Sequence, residues 1–199
     1  MVQIKDASSQ YDFLTNHFLI AMPQLRDLHF SHALTYICEH NDTGALGIIV
    51  NRPLHVTLKE VIDHVGIEFD DNLNRQQNPI SDWVFSGGPV QTERGFVLHS
   101  NDKTWESSLA ISKDIALTTS QDILKAVANN EGPNQFLVAL GYAGWGAGQL
   151  EREVAQNAWL TVPANPDIIF KTPIEQRWNA AAVPLGIDLN LMSSSIGHA

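Results

Sequence analysis

One cysteine and one histidine stand two residues apart, and this pair is a candidate for covalent chemistry. Cys38 and His40 fall in the run HALTYICEH, which is rich in residues that favour strands. Residues two apart on a strand point to the same face, about 7 Å apart along the chain. A thiolate beside an imidazole could act as a nucleophile with its base, so a small enzyme is one hypothesis. Leu34 and Tyr36 would share that face, which favours an inert core cysteine.

A second candidate is the run GYAGWGAGQLEREV at residues 141–154, where four glycines precede a predicted helix. Phosphate loops use backbone N–H groups and a helix N-terminus, usually with a lysine or a hydroxyl nearby. Residues 136–151 contain no Lys, Arg, Ser or Thr, and Glu151 and Glu153 would repel an anion at that helix end. Close packing of backbone is therefore the preferred interpretation of these glycines, with anion binding as the alternative.

The run SGGPVQTERGFVLH at residues 86–99 predicts two strands around a turn at Gln91–Arg94. Gly87 and Gly88 free the backbone there, and Arg94 supplies a guanidinium. Backbone amides and one guanidinium could hold a carboxylate or an acidic side chain of a partner. The preferred interpretation is a strand bent at its glycines, with an exposed arginine.

Metal and cofactor sites have little support in the sequence. His29, His32 and His40 have spacings that could hold a metal, but scattered surface histidines explain them more simply. A single cysteine rules out an intramolecular disulfide and a cysteine-rich zinc site. No serine lies in a G-x-S-x-G elbow, which disfavours a serine hydrolase of that type. The sequence predicts no cofactor and no metal.

Composition narrows the class of protein. The chain has 199 residues, 44% of them apolar, which predicts one compact domain over 1–199. The net charge is −10, and its 12 lysines and arginines are dispersed, which disfavours direct nucleic-acid binding. We find no secretory pattern and no apolar stretch near the ~20 residues of a membrane span. A soluble cytoplasmic protein with no membrane association is expected.

Local patterns predict the elements that would position these residues. Strands are expected at 16–22, 32–40, 45–50, 83–90, 95–100, about 109–118, 135–142 and 159–162, and the second and third form a hairpin. Thr57 and Glu60 have capping-box spacing before a helix that Gly66 ends, and the same spacing recurs at 119–122 and 172–175. A further helix is expected near 149–157, and the polar stretch 70–82 should be a surface excursion. This irregular order predicts an α+β fold with a mixed sheet.

Several runs occur in a fixed order and together are similar to the AlgH/YqgE family of bacterial proteins: FLIAMPQL, YICEHND, GALGIIVNRPL, GGPVQTERGFVLH, LVALGYAGWGAGQLEREV, NAWLTVPA, IIFKTPIEQRW and the terminal GHA. The resemblance extends from about Phe18 to Ala199. It implies an α+β fold whose branched sheet curls into a pseudo-barrel, with several short flanking helices. It also implies a cytosolic bacterial protein without an established activity, although one branch carries the label of transcriptional regulator.

Two positions depart from the family pattern. Leu28 follows Asp27 where the family often has proline, and His32 occupies the place of an arginine. Any anion-binding role of that arginine is therefore not carried over. In the glycine stretch, Gly144 and Gly146 occupy positions where the family pattern allows any residue. The residues that match the pattern are Gly141, Tyr142, Ala143, Trp145, Gly148, Gln149, Leu150 and Glu151.

Three hypotheses for function follow. The first is a binding or regulatory protein that acts through a protein or small-molecule partner and affects transcription indirectly. The second is a small enzyme that uses Cys38 with His40, and the third is a regulator that binds DNA directly. Because loops often carry function, the candidate contact residues for the first hypothesis lie in the matched turns: Glu39, His40, Asn41, Asn51, Arg52, Gly87, Gly88, Arg94 and Trp145.

Overall fold

A computed structural model describes residues 13–25, 27–68, 82–189 and 192. The predicted excursion at 70–82, apart from Asp82, lies outside these residues, as do residues 1–12 and the terminal GHA. The strands are β1 His17–Ala21, β2 Leu34–Asn41, β3 Gly44–Ile49, β4 Pro53–Thr57, β5 Trp83–Ser86, β6 Val90–Ser100, β7 Ser108–Ala110, β8 Ile115–Thr118, β9 Phe136–Gly146 and β10 Trp159–Pro163. The α-helices are α1 Leu58–His64, α2 Asp122–Ala128, α3 Gln149–Ala155, α4 Pro166–Phe170 and α5 Arg177–Ala182.

These strands form one curled sheet, and β9 is its centre. The main path runs β10, β1, β2, β3, β9, β6, β8, β7, while β5 pairs with β9 on a branch and carries β4 at its edge. β9 is antiparallel to β3 and β6 but parallel to β5, so the sheet is mixed. The predicted α+β fold with a curled mixed sheet and short helices is confirmed, and the sheet forms a half-barrel.

The inner face of the half-barrel holds the largest apolar cluster, which we call the inner cluster. The strands supply alternate residues to it, and α4 and α5 close it from the open side. Burial of these side chains is the main stabilising term for such a fold. Its members include Phe18, Ile20, Leu34, Tyr36, Cys38, Phe85, Phe96, Leu98, Leu117, Ala139, Ile169, Phe170 and Trp178.

The outer face of the sheet carries two smaller clusters, each covered by short helices. The α3 cluster packs on β1, β2, β3 and β10 and contains Leu19, Ile37, Ile49, Trp145, Leu150 and Trp159. The α1–α2 cluster packs on β5, β6 and β9 and contains Leu58, Ile62, Val84, Val97, Ile123, Leu124, Val127 and Val138. Both faces of the sheet are therefore covered over much of its area.

A bulge in β2 puts Cys38 and His40 on opposite faces. The pairing with β3 shifts between Ile37 and Glu39, so Cys38 is an extra residue in its strand. Cys38 belongs to the inner cluster, whereas His40 pairs with Ala45, which packs against the α3 cluster outside. The prediction that the two side chains share one face is therefore wrong, because the bulge interrupts the alternation of the strand.

A second interruption lies in β9 at Gly141, whose φ is 74°. A regular alternation along this strand would put Val138, Leu140 and Tyr142 on one face. Val138 and Leu140 do contact the α1–α2 cluster outside, but Tyr142 packs against the inner cluster. Because Gly141 has a left-handed conformation, the residues after it point to the opposite face from the one that a strict alternation predicts.

The predicted turn at Gln91–Arg94 is a large bulge within β6. Val90 pairs with Tyr142 and Gly95 with Leu140, so four residues of β6 stand opposite one residue of β9. All four residues of the bulge are exposed. The prediction of a turn between two strands is wrong, because β5 and β6 each pair with β9 and not with each other.

Local caps explain why some helices were predicted well. The capping box at α1 is present, with Glu60 N–H donating to Thr57 Oγ1 at 3.2 Å and Thr57 N–H donating to Glu60 Oε2 at 2.7 Å. Gly66 then has a φ of 73°, as expected of a helix end. α2 begins at the predicted place, but its cap residue is Gln121 and not Thr119, and no side chain caps it.

The C-terminal helices differ more from prediction. α4 was not predicted, although Asn165 caps it by accepting from Asp167 N–H at 3.0 Å and Pro166 starts it. The third predicted box fails, because Thr172 Oγ1 donates to the Asp167 carbonyl oxygen instead of capping a helix. A short 3-10 turn at Ile174–Gln176 leads into α5.

Candidate functional site

Cys38 is enclosed in the inner cluster. It is 1% exposed, and its Sγ lies 3.7 Å from the Tyr36 carbonyl oxygen, to which the thiol donates. Burial raises the pKa of the Cys38 thiol far above its usual value, and the nearby Glu39 carboxylate adds to that rise. A thiol of this kind stays protonated at neutral pH, and only a thiolate is a good nucleophile.

His40 has a different set of partners on the outer face. Leu14 N–H donates to His40 Nδ1 at 2.9 Å, which leaves the ring proton on Nε2. That N–H then donates to Glu151 Oε1 at 3.1 Å. Both ring nitrogens of this 4%-exposed imidazole are thus occupied, and neither serves Cys38. His40 therefore links the segment before β1 both to β2 and to α3 through hydrogen bonds.

Labelling of Cys38 gives a direct check of this assignment. We expect the folded protein to leave a disulfide-exchange thiol probe unreacted, because the thiol is buried and protonated. In denaturing urea the single thiol of the chain should react fully, which serves as the positive control. Rapid labelling of the folded protein, in proportion to the probe concentration, would instead support the Cys38 nucleophile hypothesis.

Two candidate contact residues occupy the β2–β3 turn. Asn41 Nδ2 donates to Glu39 Oε1 at 2.9 Å, and Asn41 Oδ1 accepts from Thr43 N–H, also at 2.9 Å. Such side-chain bonds are typical of tight turns. Asn41 is therefore explained by the hairpin, and Glu39 is exposed beside it.

Two others, Asn51 and Arg52, hold the chain around Leu28–Ala33 in place. Asn51 accepts from Leu34 N–H at 2.8 Å and donates to the His32 carbonyl oxygen at 2.8 Å. Arg52 donates to the carbonyl oxygens of His29 at 2.6 Å and Ser31 at 2.9 Å. Since these polar groups are committed to backbone, their evident role is to fix this loop.

Gly87 and Gly88 pack directly on the glycine stretch of β9. A Cβ on Gly87 would overlap the Gly141 carbonyl oxygen, and a Cβ on Gly88 would overlap the backbone of Tyr142. Gly87 also bridges two strands, because its N–H donates to the Leu140 carbonyl oxygen at 2.8 Å and its carbonyl oxygen accepts from Ile49 N–H. The preferred interpretation of the glycines, close approach of backbone, agrees with this geometry.

Trp145 belongs to a buried aromatic group that Glu153 ties together. The indole N–H groups of Trp145 and Trp159 both donate to Glu153 Oε2 at 2.9 Å. Glu153 Oε1 accepts from Gln149 Nε2 at 2.8 Å. Trp145 is 6% exposed and Trp159 3%, so the carboxylate satisfies two buried donors from α3. Trp145 is therefore a core residue, and its remaining surface lines a groove with Glu39 and Asn41.

Four of the candidates line open grooves: Glu39, Asn41 and Trp145 line one of about 340 Å³, and Arg94 lines two others. It lines a groove of about 890 Å³ between α1, the β6 bulge and the start of α2, which we call the α1–α2 groove. It also lines a groove of about 290 Å³ at the mouth of the half-barrel, which we call the β6–β8 groove. The side chain rests over the Phe96 ring, with Cζ 5.3 Å from the ring centroid, and Nη1 donates to Gln91 Oε1 at 3.3 Å.

Both grooves combine an apolar floor with a polar rim. Such a combination is typical of small-molecule sites, where apolar walls bury the ligand and a few polar groups orient it. The α1–α2 groove has Val61, Val65, Val97, Leu124, Val138 and Leu140 below Glu60, His64, Glu93, Arg94, Thr119, Ser120 and Gln121. The β6–β8 groove has Leu46, Phe96, Leu109 and Leu117 beside Arg94, Ser107, Ser108, Thr119 and Tyr142.

A buried polar network beside these grooves was missed from the sequence. His99 is fully buried, and its Nε2 lies 2.9 Å from Thr118 Oγ1, which lies 2.7 Å from Ser108 Oγ. The three residues come from β6, β8 and β7, so no short motif joins them. The one available signal was a histidine at the end of the apolar strand GFVLH.

Two further kinds of site, metal-ligand clusters and membrane-spanning helices, were searched for in the part of the chain that the structure describes. There, no three His, Cys, Asp or Glu side chains are grouped to hold a metal ion. Of the candidate histidines, His32 packs against Trp178 with ring centroids 4.8 Å apart and the rings tilted by 59°, and His40 is hydrogen-bonded to Glu151. None of the described helices is long and apolar enough to cross a membrane.

The fold and its grooves define a class: a single-domain α+β protein whose curled sheet forms a half-barrel around β9. The model of the AlgH-like family matches residues 18–190. The chain therefore belongs to the AlgH-like family, which has no established activity. It is 57% identical over 193 residues to a UPF0301 protein of Thioalkalivibrio sulfidiphilus, with 97% of this chain and 99% of the relative covered. A UPF0301 protein of Nitrosospira multiformis is 53% identical, with 94% and 97% covered.

Two solved structures share this fold. The solution structure of the AlgH protein from Pseudomonas aeruginosa is 44% identical, with a TM-score of 0.74 and full coverage of both chains. A crystal structure of a protein from Corynebacterium diphtheriae has a TM-score of 0.72 over 92% of this chain and 93% of that one. At 16% identity, the second match shows the fold alone.

Proposed function

We propose that this protein is a binding protein for a small molecule with an anionic group and an apolar body, held at Arg94. The observation that supports the proposal is that Arg94, an exposed cation, lines both grooves. Among the described residues, no carboxylate forms an ion pair with Arg94. An exposed cation next to apolar floors can give a carboxylate one charge-assisted anchor while the rest of the ligand is buried.

Other candidate residues give less support to a ligand site. The side chains of Asn41, Asn51, Arg52 and Trp145 are bonded within the fold. Gly87 and Gly88 have no room for a ligand on the side that faces β9. Arg94 is therefore the exposed cation of the predicted set, whereas the exposed Glu39 would repel an anionic ligand.

An indirect effect on transcription would follow if the ligand changed how the protein meets another macromolecule. The net charge of −10 opposes direct contact with DNA, whose affinity depends on concentrated positive charge. The regulator role, the protein partner and the cytoplasmic location predicted from the sequence stay predictions. Absence of DNA binding at low salt would remove the third hypothesis, and a steep salt dependence would support it.

The experiment is a thermal-shift screen of the purified protein against carboxylates, nucleotides, amino acids, metal ions and common metabolites. A ligand at 100 times its Kd adds about 2.7 kcal/mol to the free energy of unfolding, which is easily detected. We expect a carboxylate among the hits. Arg94→Gln should weaken its binding about 10- to 100-fold, as loss of one charge-assisted bond of about 1.5–3 kcal/mol predicts.

Lys113→Gln is the matched control, because Lys113 is an exposed cation that lines none of these grooves. It removes the same charge and should leave the Kd unchanged. Equal weakening by both variants would mean that only the net charge matters. A screen without any carboxylate hit, together with capture of a protein partner that Arg94→Gln does not disturb, would overturn the small-molecule proposal.

A further inference from the structure

The β6–β8 groove continues into the groove beside the β2–β3 hairpin, whose volume is about 340 Å³. Leu46 and Tyr142 line both grooves, so the two meet at these side chains. We call the joined depression the mouth groove. Arg94 lines one end of it, and Glu39 lines the other.

The strand register puts the Glu39 end and the middle of this groove on one face of the sheet. Glu39 of β2 stands opposite Leu46 of β3, and Leu46 stands opposite Gly144 of β9. Tyr142 lies two residues before Gly144 on the same strand. Residues directly opposite each other, and residues two apart along a strand, share a face. Leu46 and Tyr142 pack against the inner cluster, so this face is the inner one.

The Arg94 end lies on the same face. The Arg94 guanidinium rests over the Phe96 ring, and Phe96 belongs to the inner cluster. The rings of Phe96 and Tyr142 contact each other, with their centroids 5.6 Å apart. The contacts therefore run from Arg94 through Phe96 to Tyr142 without crossing the sheet.

The two ends of the mouth groove carry opposite charges. Both side chains are exposed, and among the described residues neither has an ion-pair partner. Their hydrogen-bond partners are neutral amides, Asn41 for Glu39 and Gln91 for Arg94. β3 and β9 lie between β2 and β6, so the strands that carry the two charges are three strand spacings apart, or roughly 14 Å. Each charge is thus available to a ligand that reaches across the groove.

We propose that the mouth groove binds a short apolar peptide with free termini, with its carboxylate at Arg94 and its ammonium group at Glu39. The inference rests on the proposed function for the anchoring role of Arg94, and it adds the class of ligand. A simple carboxylate would be repelled at the Glu39 end, whereas a molecule with one charge of each sign is attracted at both ends. Capture of a free peptide terminus is a recurrent mode of peptide recognition.

The width of the groove favours a peptide of about three residues. If each charged contact takes up roughly 3 Å, the two charges of the ligand lie roughly 8 Å apart. An extended chain rises about 3.3 Å per residue, so the termini of a tripeptide match this separation. Leu46, Leu109 and Leu117 provide apolar wall for its side chains.

The middle of the groove favours a peptide over a plain hydrocarbon chain. Tyr142 lines both halves of the groove, and no residue in the described part of the chain is hydrogen-bonded to its hydroxyl. A phenolic hydroxyl can both donate and accept, so it can bond to the N–H or the carbonyl oxygen of a peptide bond. A polymethylene chain offers no such partner.

The test measures binding of the tripeptide alanyl-phenylalanyl-alanine by isothermal titration calorimetry. N-acetylation removes its ammonium charge and C-amidation removes its carboxylate, and each should weaken binding to the wild type about 5-fold or more. In Glu39→Gln we expect acetylation to have no further effect, and in Arg94→Gln we expect the same of amidation. This crossed pattern assigns each terminus to one residue.

Asp42→Asn is the matched control for Glu39→Gln. Asp42 is an exposed carboxylate of the same hairpin turn, but it does not line the mouth groove. It should leave the Kd of the tripeptide unchanged. An equal loss in Asp42→Asn and Glu39→Gln would overturn the proposal, as would unchanged binding of the acetylated peptide to the wild type or no binding of the free peptide at millimolar concentration.

The compound ω-aminooctanoate tests the peptide itself, because it has the same end charges and the same number of bonds between them. We expect it to bind more weakly than the tripeptide. Tyr142→Phe should weaken the tripeptide about 2- to 10-fold, as loss of one hydrogen bond predicts, and leave ω-aminooctanoate unaffected. Equal binding of the two compounds to the wild type would overturn the peptide as the ligand.

Failure of this inference can be told from failure of the proposed function. Binding of octanoate that depends on Arg94, without any effect of acetylation or of Glu39→Gln on the tripeptide, would overturn only the peptide. Tripeptide binding that depends on Glu39 but not on Arg94 would overturn the anchor and leave the Glu39 end supported.

Discussion

Gly88→Ala should destabilise the protein by about 4 kcal/mol or more, or prevent folding altogether. The new Cβ would overlap the backbone of Tyr142 and Ala143, and backbone in the central strand cannot move aside as a flexible side chain could. The φ of Gly88 is 152°, which an L side chain rarely adopts. Relief of the overlap would require β5 and β9 to separate, and their pairing is part of the branch point. Urea denaturation followed by tryptophan fluorescence measures the loss.

Gly95→Ala is the matched control for this prediction. Gly95 lies in β6, whereas Gly88 lies between β5 and β6. A Cβ on Gly95 meets nothing within 4 Å, and its φ is outside the left-handed region. Alanine in that position should change the free energy of unfolding by less than about 1 kcal/mol. Equal denaturation midpoints for the two variants would show that the close approach at Gly88 relaxes freely.

Glu153→Ala should cost about 3 kcal/mol, because it leaves two buried indole N–H groups without an acceptor. Trp145 and Trp159 both donate to the Glu153 carboxylate at 2.9 Å, and an unsatisfied buried donor costs about 1–3 kcal/mol. Water can reach part of the half-buried carboxylate site, which keeps the expected loss below the sum for two sealed donors. Urea denaturation and the near-ultraviolet circular dichroism of the tryptophans report the change.

Glu153→Gln separates the acceptor from the charge. Glutamine keeps one oxygen for the indole donors, but its NH2 group would face the Gln149 amide, which now donates to Glu153 Oε1. We expect a loss of about 1 kcal/mol, between the wild type and the alanine variant. If alanine and glutamine were equally destabilising, the charge and not the shared acceptor would be the stabilising element.

The elements that were predicted correctly are those whose signals are local. The capping box of Thr57 and Glu60 and the hairpin around Asp42 depend on residues within one turn of each other. The missed helix α4 had such a signal as well, in Asn165 followed by Pro166. It was overlooked because the apolar run at 168–170 is too short to show a helical period.

The predictions that failed concerned features that depend on contacts between residues far apart in the sequence. The bulge at Cys38 and the left-handed Gly141 each reverse the face of a strand, and both arise from pairing with β3, β6 or the β5–β6 connection. A period of two in the sequence carries no sign of such an extra residue. The Cys38 and His40 pair was therefore predicted on one face and found on two.

For the same reason, only part of the candidate site could be predicted from the sequence. Arg94 stood out because it lies in a run of glycines and polar residues. Ser108, Thr118 and His99 come together only when β7, β8 and β6 pair, and nothing in their own sequence neighbourhoods marks them. A histidine inside an apolar strand predicts that a polar partner is buried beside it, but it does not identify the partner residue.

The central position of β9 also affects the order in which the chain can fold during synthesis. β3, β5 and β6 all leave the ribosome before β9, and each of them has β9 as a neighbour in the finished sheet. Between the emergence of residue 100 and residue 146, roughly 2–9 s at 5–20 residues per second, these strands carry unpaired edges. Exposed edges of this kind are prone to pair with other chains. The nascent protein is therefore most dependent on chaperones in this interval, and a ribosome that stalls before β9 would release an aggregation-prone fragment.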